Sequence, residues 1–523
     1  MTCTPARRDL AVFLAALALF ATSVREPGVR VVDLGALRIL EGDVPYRDFW
    51  TMYAPGSLYD AAGAFAVLGR EMIVSNVLGV VAAAAGVAAF HRLASSALAA
   101  GPALVPTALF GIAYYSAGYH VGLASYPTGI LCALLAAVLL GAWARGAGRG
   151  KLAGAGVCLG LSILFKHDVG AYASVACAAA LAIGGAPEGA SRARSLVVLA
   201  TAALAVVLPP LCLLGAAGAG PDMLRDLVVF PLTDFPAARK EGFPGLLPEW
   251  DGDSAREVVH GVANWGRCNA PLALFVIALP ALWRRRASFG PGSRHALLFA
   301  LVAFPLVWRA AHVQINTHVI TFSGLAALLA AAAWLRPEAP RGARWGVAGL
   351  VAFAALSLAI EPGRKAIRGL SEDADPLGLP GLSGIRASPE GARRWRDLAA
   401  EIAAAGPPEA PLLLVANRND VLVYALGVPY WLSPRRPVTR HHELHPAVTD
   451  TEEVQRRMLD DVGRGPLPVL VREHRFDDAT LDRAKAMFQG FGLRIGATEL
   501  DRWVASRYRE GPRFGMYEVM RAR

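Results

Sequence analysis

The sequence predicts an α-helical polytopic membrane protein of about eleven transmembrane helices, followed by a soluble C-terminal α/β domain. Three observations carry that prediction. Hydrophobic residues make up 54% of the chain and charged residues only 18%, too skewed for several water-soluble domains. The apolar residues come in nearly uncharged blocks of about 15 to 22, and over that length in hydrocarbon only a helix satisfies its own backbone. The basic residues sit mostly in short connectors between blocks, where they orient helices, so the net charge of +10 does not point to nucleic acid.

The blocks predict spans at 9–24, 72–91, 101–118, 126–144, 152–166, 169–185, 195–216, 269–283, 295–310, 314–334 and 344–360. The first is a retained helix, because Ser23-Val24-Arg25 is a poor cleavage site for a signal peptide. Threaded from a cytoplasmic N-terminus, the spans put Arg92, Arg145, Arg149, Lys151, Arg192, Arg194, Arg284, Arg285, Arg286, Arg294, Arg336, Arg341 and Arg344 on the cytoplasmic side. Merging 152–185 into one span would invert everything downstream, so two helices are expected there. The expected setting is the inner (plasma) membrane, with the tail extracytoplasmic.

Residues 1–365 thus form a transmembrane module whose first outer loop is 25–71, residues 366–389 a linker, and 390–523 the tail domain. Ser57 to Leu68 reads as an interfacial amphipathic stretch. In the tail, Glu390–Ala405, Thr449–Asp461 and Asp478–Gly490 have helical periodicity, and Leu412–Ala416 and Val469–Arg472 read as buried strands, an α/β alternation. Cys132, Cys158, Cys177 and Cys212 lie in apolar blocks, and with Cys3 and Cys268 they show neither ligand spacing nor a disulfide framework.

Three ionisable clusters fall on the predicted outer side. In the first loop, Asp33 follows the first span by about nine residues within an apolar segment, where partial desolvation would suit a general base. A solvated acid or a helix cap is the plainer alternative. Further on stand Tyr46, Arg47 and Asp48 among Phe49, Trp50 and Tyr53, which read equally as a sugar-shaping loop or as an interfacial aromatic belt with a local ion pair. The turn Lys166-His167-Asp168 between spans five and six can hold an anionic head group, or it can be a snorkelling Lys beside a helix-starting Asp. The third cluster runs from Trp308 through Arg309 and His312 to His318, unusually polar for a connector between apolar blocks, with a solvated turn anchored by Arg309 as the plainer alternative. A transporter or flippase, the rival class, would place its charges near the bilayer midplane and break its helices. A pure anchor would not need so many spans. His441, His442 and His445 suggest a metal only weakly, with Glu443 alone among them.

Asp33, Gly42, Pro45, Tyr46, Asp48, Phe49, Pro55 and Gly56 together resemble the first loop of the C-type (GT-C) polyprenyl-phosphate-sugar-dependent glycosyltransferases, among them the aminoarabinose and protein mannosyltransferases. Phe165-Lys166 with Asp168, and the tail segment Arg435-Arg436-Pro437 with Thr439 and Arg440, are similar to segments of bacterial members. The resemblance implies inverting transfer of a sugar from a polyprenyl-phosphate donor to a hydroxyl of a lipid, glycan or protein acceptor at the outer face. It implies Asp33 as general base with Asp48 in reserve, Lys166, Arg309 and His312 as donor-phosphate ligands, and Tyr46, Arg47, His167 and Asp168 around the sugar and acceptor. No cofactor is required, since the phosphate leaves with its charge already in place; a divalent metal is compatible but unsupported. The sequence departs from the pattern where Leu34 follows Asp33 in place of a second acid, and where the loop Tyr114 to Tyr126 carries His120 and no carboxylate.

Overall fold

The computed structural model describes residues 4–25, 31–118, 122, 125–238, 245, 247, 254–311, 315–371, 374–422 and 427–523. The first nine helices are α1 (Pro5–Ala21), α2 (Val31–Leu40), α3 (Pro55–Leu68), α4 (Met72–Ala97), α5 (Ala100–Ser116), α6 (Ser125–Ala144), α7 (Arg149–Phe165), α8 (His167–Gly184) and α9 (Arg192–Leu214). Long helices follow at Ala255–Arg284, Pro291–Ala311, Ile315–Trp334 and Arg341–Ser371. Every predicted span falls on one of these helices. Among the described residues, seven helices are long and apolar enough to cross a bilayer. Helices α1, α5 and α7, at 17 residues each, sit at the short edge of what about 30 Å of hydrocarbon demands.

The chain divides into two compact units. The first comprises residues 1–23, 77–211 and 241–371 and is the helical bundle. Here α7 and α8 are two helices, as the charge pattern requires, because Lys166 adopts an extended conformation (φ −148°, ψ 95°) between them. They close tightly: a Cβ at Gly170 would come within 2.4 Å of the Ile163 amide nitrogen. Arg145 packs against Gly292 and His295 against Gly184 at the basic end of the bundle. Tyr126, Lys166 and Arg309 sit at the other ends of those helices. The helix from Ala255 starts well before its apolar block, set by a capping box in which Ser254 Oγ accepts from the Glu257 amide at 3.3 Å and Glu257 returns the bond at 3.1 Å.

The second unit comprises residues 24–76, 212–240 and 372–523. Its sheet has the order β3–β4–β7–β6, with β3 (Leu412–Ala416) parallel to β4 (Val469–Glu473), and β7 (Tyr517–Val519) antiparallel to both β4 and β6 (Arg513–Phe514). Two small antiparallel ribbons flank it, β1 (Asp375–Pro376) with β2 (Arg386–Ala387) and β5 (Tyr508–Arg509) with β8 (Arg521–Ala522). Helices lie at Pro389–Ala404, Glu452–Gly463, Asp478–Gly490 and Glu499–Arg507. The first three match the predicted periodicities, and Ser388 and Asp477 cap two of them by accepting from Gly391 at 3.2 Å and Thr480 at 2.7 Å. The fourth, of nine residues, is too short to leave a clear period.

Contacts divide the chain at 371/372, inside the predicted linker 366–389, and they also fold the first loop and residues 212–240 into the same unit as the tail. The first loop is also largely helical. Gly35 of α2 lets α3 approach closely, since a Cβ there would meet Leu58 at 2.7 Å. The helical stretch Arg192–Leu232 spans 41 residues, about twice a bilayer crossing, and is two helices joined across a kink. It turns at Gly218, whose φ of 88° is open to glycine without strain.

Candidate active site

Within the second unit, Asp33 stands in the first turn of α2 and is fully buried. Its Oδ1 accepts a hydrogen bond from Ser75 at 2.8 Å. The sequence places Asp33 in an apolar segment of the first outer loop, with a solvated acid or a helix cap as the alternative; it belongs to the first turn of a helix, because Val31 to Leu40 carries only two ionisable residues and a continuous apolar face. The other ionisable residue is Arg38, one and a half turns on, which sequence reading passes over. Arg38 binds Asp43 at 2.7 Å, the Asp48 carbonyl at 3.0 Å, the Thr439 carbonyl at 3.2 Å and His442 Nδ1 at 3.3 Å, with its guanidinium 5.0 Å from the Phe49 ring centre. It therefore fixes the Asp48 turn at the C-terminal end of α2, while Asp33 occupies the N-terminal end. The two candidate bases are not brought together.

Asp48 is committed to its own turn. One oxygen accepts from the Val44 amide at 2.7 Å, and both oxygens engage Arg47, at 2.7 and 2.9 Å. Those bonds, the one from Arg47 first, hold its carboxyl below the usual range, which suits an anchor better than a base. Arg47 also reaches the Ala217 carbonyl at 3.0 Å. Tyr46, fully buried with φ 68°, donates to the Tyr53 carbonyl at 2.7 Å and packs with Leu214 and Ala219, so its ring shapes the loop from inside.

The tail motif explains itself in this unit. Arg435 is buried and gathers the carbonyls of Ala410 and Gly406, each at 2.8 Å. Arg436 pairs with Glu41 and Asp43, each at 2.9 Å. Arg440 pairs with Asp222 at 3.0 Å, donates to the Tyr46 carbonyl, and offers its own carbonyl to Trp50 at 3.1 Å. Arg-Arg-Pro-x-Thr-Arg is thus a seam joining tail to first loop. Beside it a cavity of about 580 Å³ is lined by Arg38, Arg47, Asp48, Thr439 and Arg440. His442 is kept neutral by burial and by the Arg38 charge. Among the described residues no group of three or more His, Cys, Asp or Glu is placed to hold a metal ion.

Within the bundle, Lys166 is buried, with its Nζ 3.1 Å from Asp168 and 4.7 Å above the Tyr126 ring. Gly129 makes room for it, since a Cβ there would stand 2.8 Å from the Lys166 Cβ, and Ser162 ties the same glycine carbonyl at 2.8 Å. Tyr172 stands one turn beyond Asp168 on α8, and Arg309 ends the helix Pro291–Ala311, which packs against α8. Lys166, Asp168 and Arg309 therefore share one neighbourhood, with His167 half-buried at the first turn of α8. His312 and His120 lie outside the described residues. Tyr126 and Tyr172 carry no sequence signal that separates them from an interfacial aromatic belt.

No family model matches this chain, and no curated protein matches it in sequence. Solved structures do match in fold. ArnT from Cupriavidus metallidurans in the apo state superposes with a TM-score of 0.54 at 13% identity, over 99% of this chain and 98% of that one. The same protein bound to undecaprenyl phosphate gives 0.54 at 12% identity, over 98% and 97%. The apo oligosaccharyltransferase of Archaeoglobus fulgidus gives 0.53 at 12% identity, over 98% of this chain and 74% of that one. The chain therefore has the C-type membrane glycosyltransferase fold that its sequence resembles.

Proposed function

We propose that the protein transfers a sugar from a polyprenyl-phosphate donor to an acceptor hydroxyl, with inversion, at the outer face of the membrane. The observation that carries this reading is the end-to-end fold likeness to ArnT, which has been solved with undecaprenyl phosphate bound. Asp33 is the base: a buried carboxylate, oriented by Ser75, takes the proton as the acceptor oxygen attacks the anomeric carbon. The bond from that carbon to the phosphate oxygen breaks, and polyprenyl phosphate leaves with the electron pair. Lys166 and Arg309, with His312, hold the donor phosphate; Tyr126 beneath and Asp168 beside the ammonium keep Lys166 pre-oriented. The clustering of Lys166, Asp168 and Arg309 at one end of the bundle favours this over transport, which calls for charges along the helix interiors.

The test separates chemistry from binding in the purified enzyme with an undecaprenyl-phosphate-linked sugar. Asp33→Asn is expected to lower turnover by about 10²- to 10⁴-fold with donor affinity kept. Lys166→Ala and Arg309→Ala are expected to weaken donor binding by about 1–3 kcal/mol. Wild-type turnover in Asp33→Asn would overturn the base assignment, and an inactive Asp48→Asn beside it would move the role to Asp48.

A further inference from the structure

The second unit holds a larger cavity, of about 880 Å³, between residues 222–234 and the start of the helix Glu452–Gly463. Trp50 and Phe230, ring centres 5.7 Å apart, give it an aromatic wall. Three buried polar atoms on the residues lining it have no hydrogen-bond partner among the described residues: Oδ2 of Asp226, Nε of Arg440 and Nδ1 of His441. Asp226 is 2% exposed and His441 4%. The other engagements of these side chains are fixed, Asp226 accepting from the Thr51 amide and Arg440 held by Asp222 and the Tyr46 carbonyl. Buried polar groups are rarely left unsatisfied, and here an acceptor, a donor and a nitrogen able to be either belong to three side chains that line one space.

The charges around that space are nearly balanced. Five arginines and five acidic side chains line it among the described residues, and with burial raising the Asp226 pKa to about 7 the space carries at most a small positive charge, too little to select an anion or a cation strongly. A hydroxyl is donor and acceptor at once, and a pyranose ring offers an apolar face to an indole, so a sugar matches all of these features. The volume lies within the roughly 300–1,000 Å³ usual for small-molecule sites. We infer that this cavity binds the neutral, hydroxyl-rich saccharide part of the acceptor, with Asp226, Arg440 and His441 as its hydrogen-bonding residues. Only the word acceptor rests on the reaction proposed above; saccharide binding does not.

The purified full-length protein in detergent micelles, without donor, is applied to an array of immobilised neutral and uronic-acid-containing oligosaccharides, and the best neutral glycan is then titrated calorimetrically. Neutral glycans are expected to bind, with affinity little changed between low and high salt. Asp226→Asn, and Arg225→Gln at the exposed edge, are each expected to weaken binding at least tenfold. No glycan binding, binding of uronic-acid glycans only, or neutral binding unchanged in both variants overturns the inference. Neutral binding that depends on Asp226, in a protein that never consumes a polyprenyl-phosphate donor, supports this inference and overturns the reaction instead.

Discussion

His441 shows how a single side chain ties this site to pH. Burial first, and then the charge of Arg440, lowers its pKa to about 3, so the ring is neutral in the folded protein. The unfolded chain takes up that proton near pH 6.5, and the folded one only far below. Its contribution to stability is therefore complete above about pH 6.5 and lost as pH falls from there towards 3. His442, lowered for the same reasons, adds to the same acid limb. Thermal unfolding followed from pH 7 to 4 is expected to show a falling midpoint, and His441→Gln to flatten the fall by up to about 1.4 kcal/mol per pH unit. An unchanged slope in His441→Gln would mean that its ring is already hydrated in the folded state. The same residue marks a limit of sequence reading. Four polar residues in five, His441 to His445, look like a metal motif or a loop, and nothing in their spacing tells that Arg38, about 400 positions earlier, reaches His442.

Helices were legible because hydrocarbon leaves the backbone one way to satisfy itself, and each apolar block became a helix. The break at Lys166 was legible from charge parity, but its mechanics were not: Gly170 and Gly129 read as ordinary small residues until Ile163 and Lys166 are seen against them. Gly170→Ala is expected to cost about 1–3 kcal/mol, because its methyl group would meet backbone and not a movable side chain. Gly150→Ala, with nothing within 4 Å, is the matched control and is expected to be neutral. Equal unfolding midpoints for the two variants in detergent would show that the α7–α8 turn yields more easily than its geometry implies. Helix α2 was missed for the opposite reason: ten residues between a span and a polar turn carry too short a period to stand out from loop.

At the scale of the whole molecule, hydropathy located the tail but not its partners, since residues 24–76 and 212–240 join it through side chains whose pairing has no one-dimensional signature. The Arg436 pairs with Glu41 and Asp43, and the Arg440 pair with Asp222, close over sequence gaps that no local pattern spans. Reporter fusions test the side assignment directly. Fusions after Arg149, Arg194, Arg286 and Arg341 are expected to report cytoplasm, and those after Asp48 and Ser388 the opposite side. A cytoplasmic signal at Ser388 would remove the outer-face reading.

The three-part make-up of the second unit also sets an order of events during synthesis. Of its three strips, 24–76 leaves the ribosome first, 212–240 only after six more described helices, and 372–523 later still. The early strips carry groups that the finished unit buries, Tyr46 and Phe49 among them, and these must wait for a partner not yet made. A chain cut short before Arg440 would leave them waiting for good. Premature termination anywhere upstream is then a defect of the first loop as much as of the tail, and a stalled chain is a standing target for proteases and holdases.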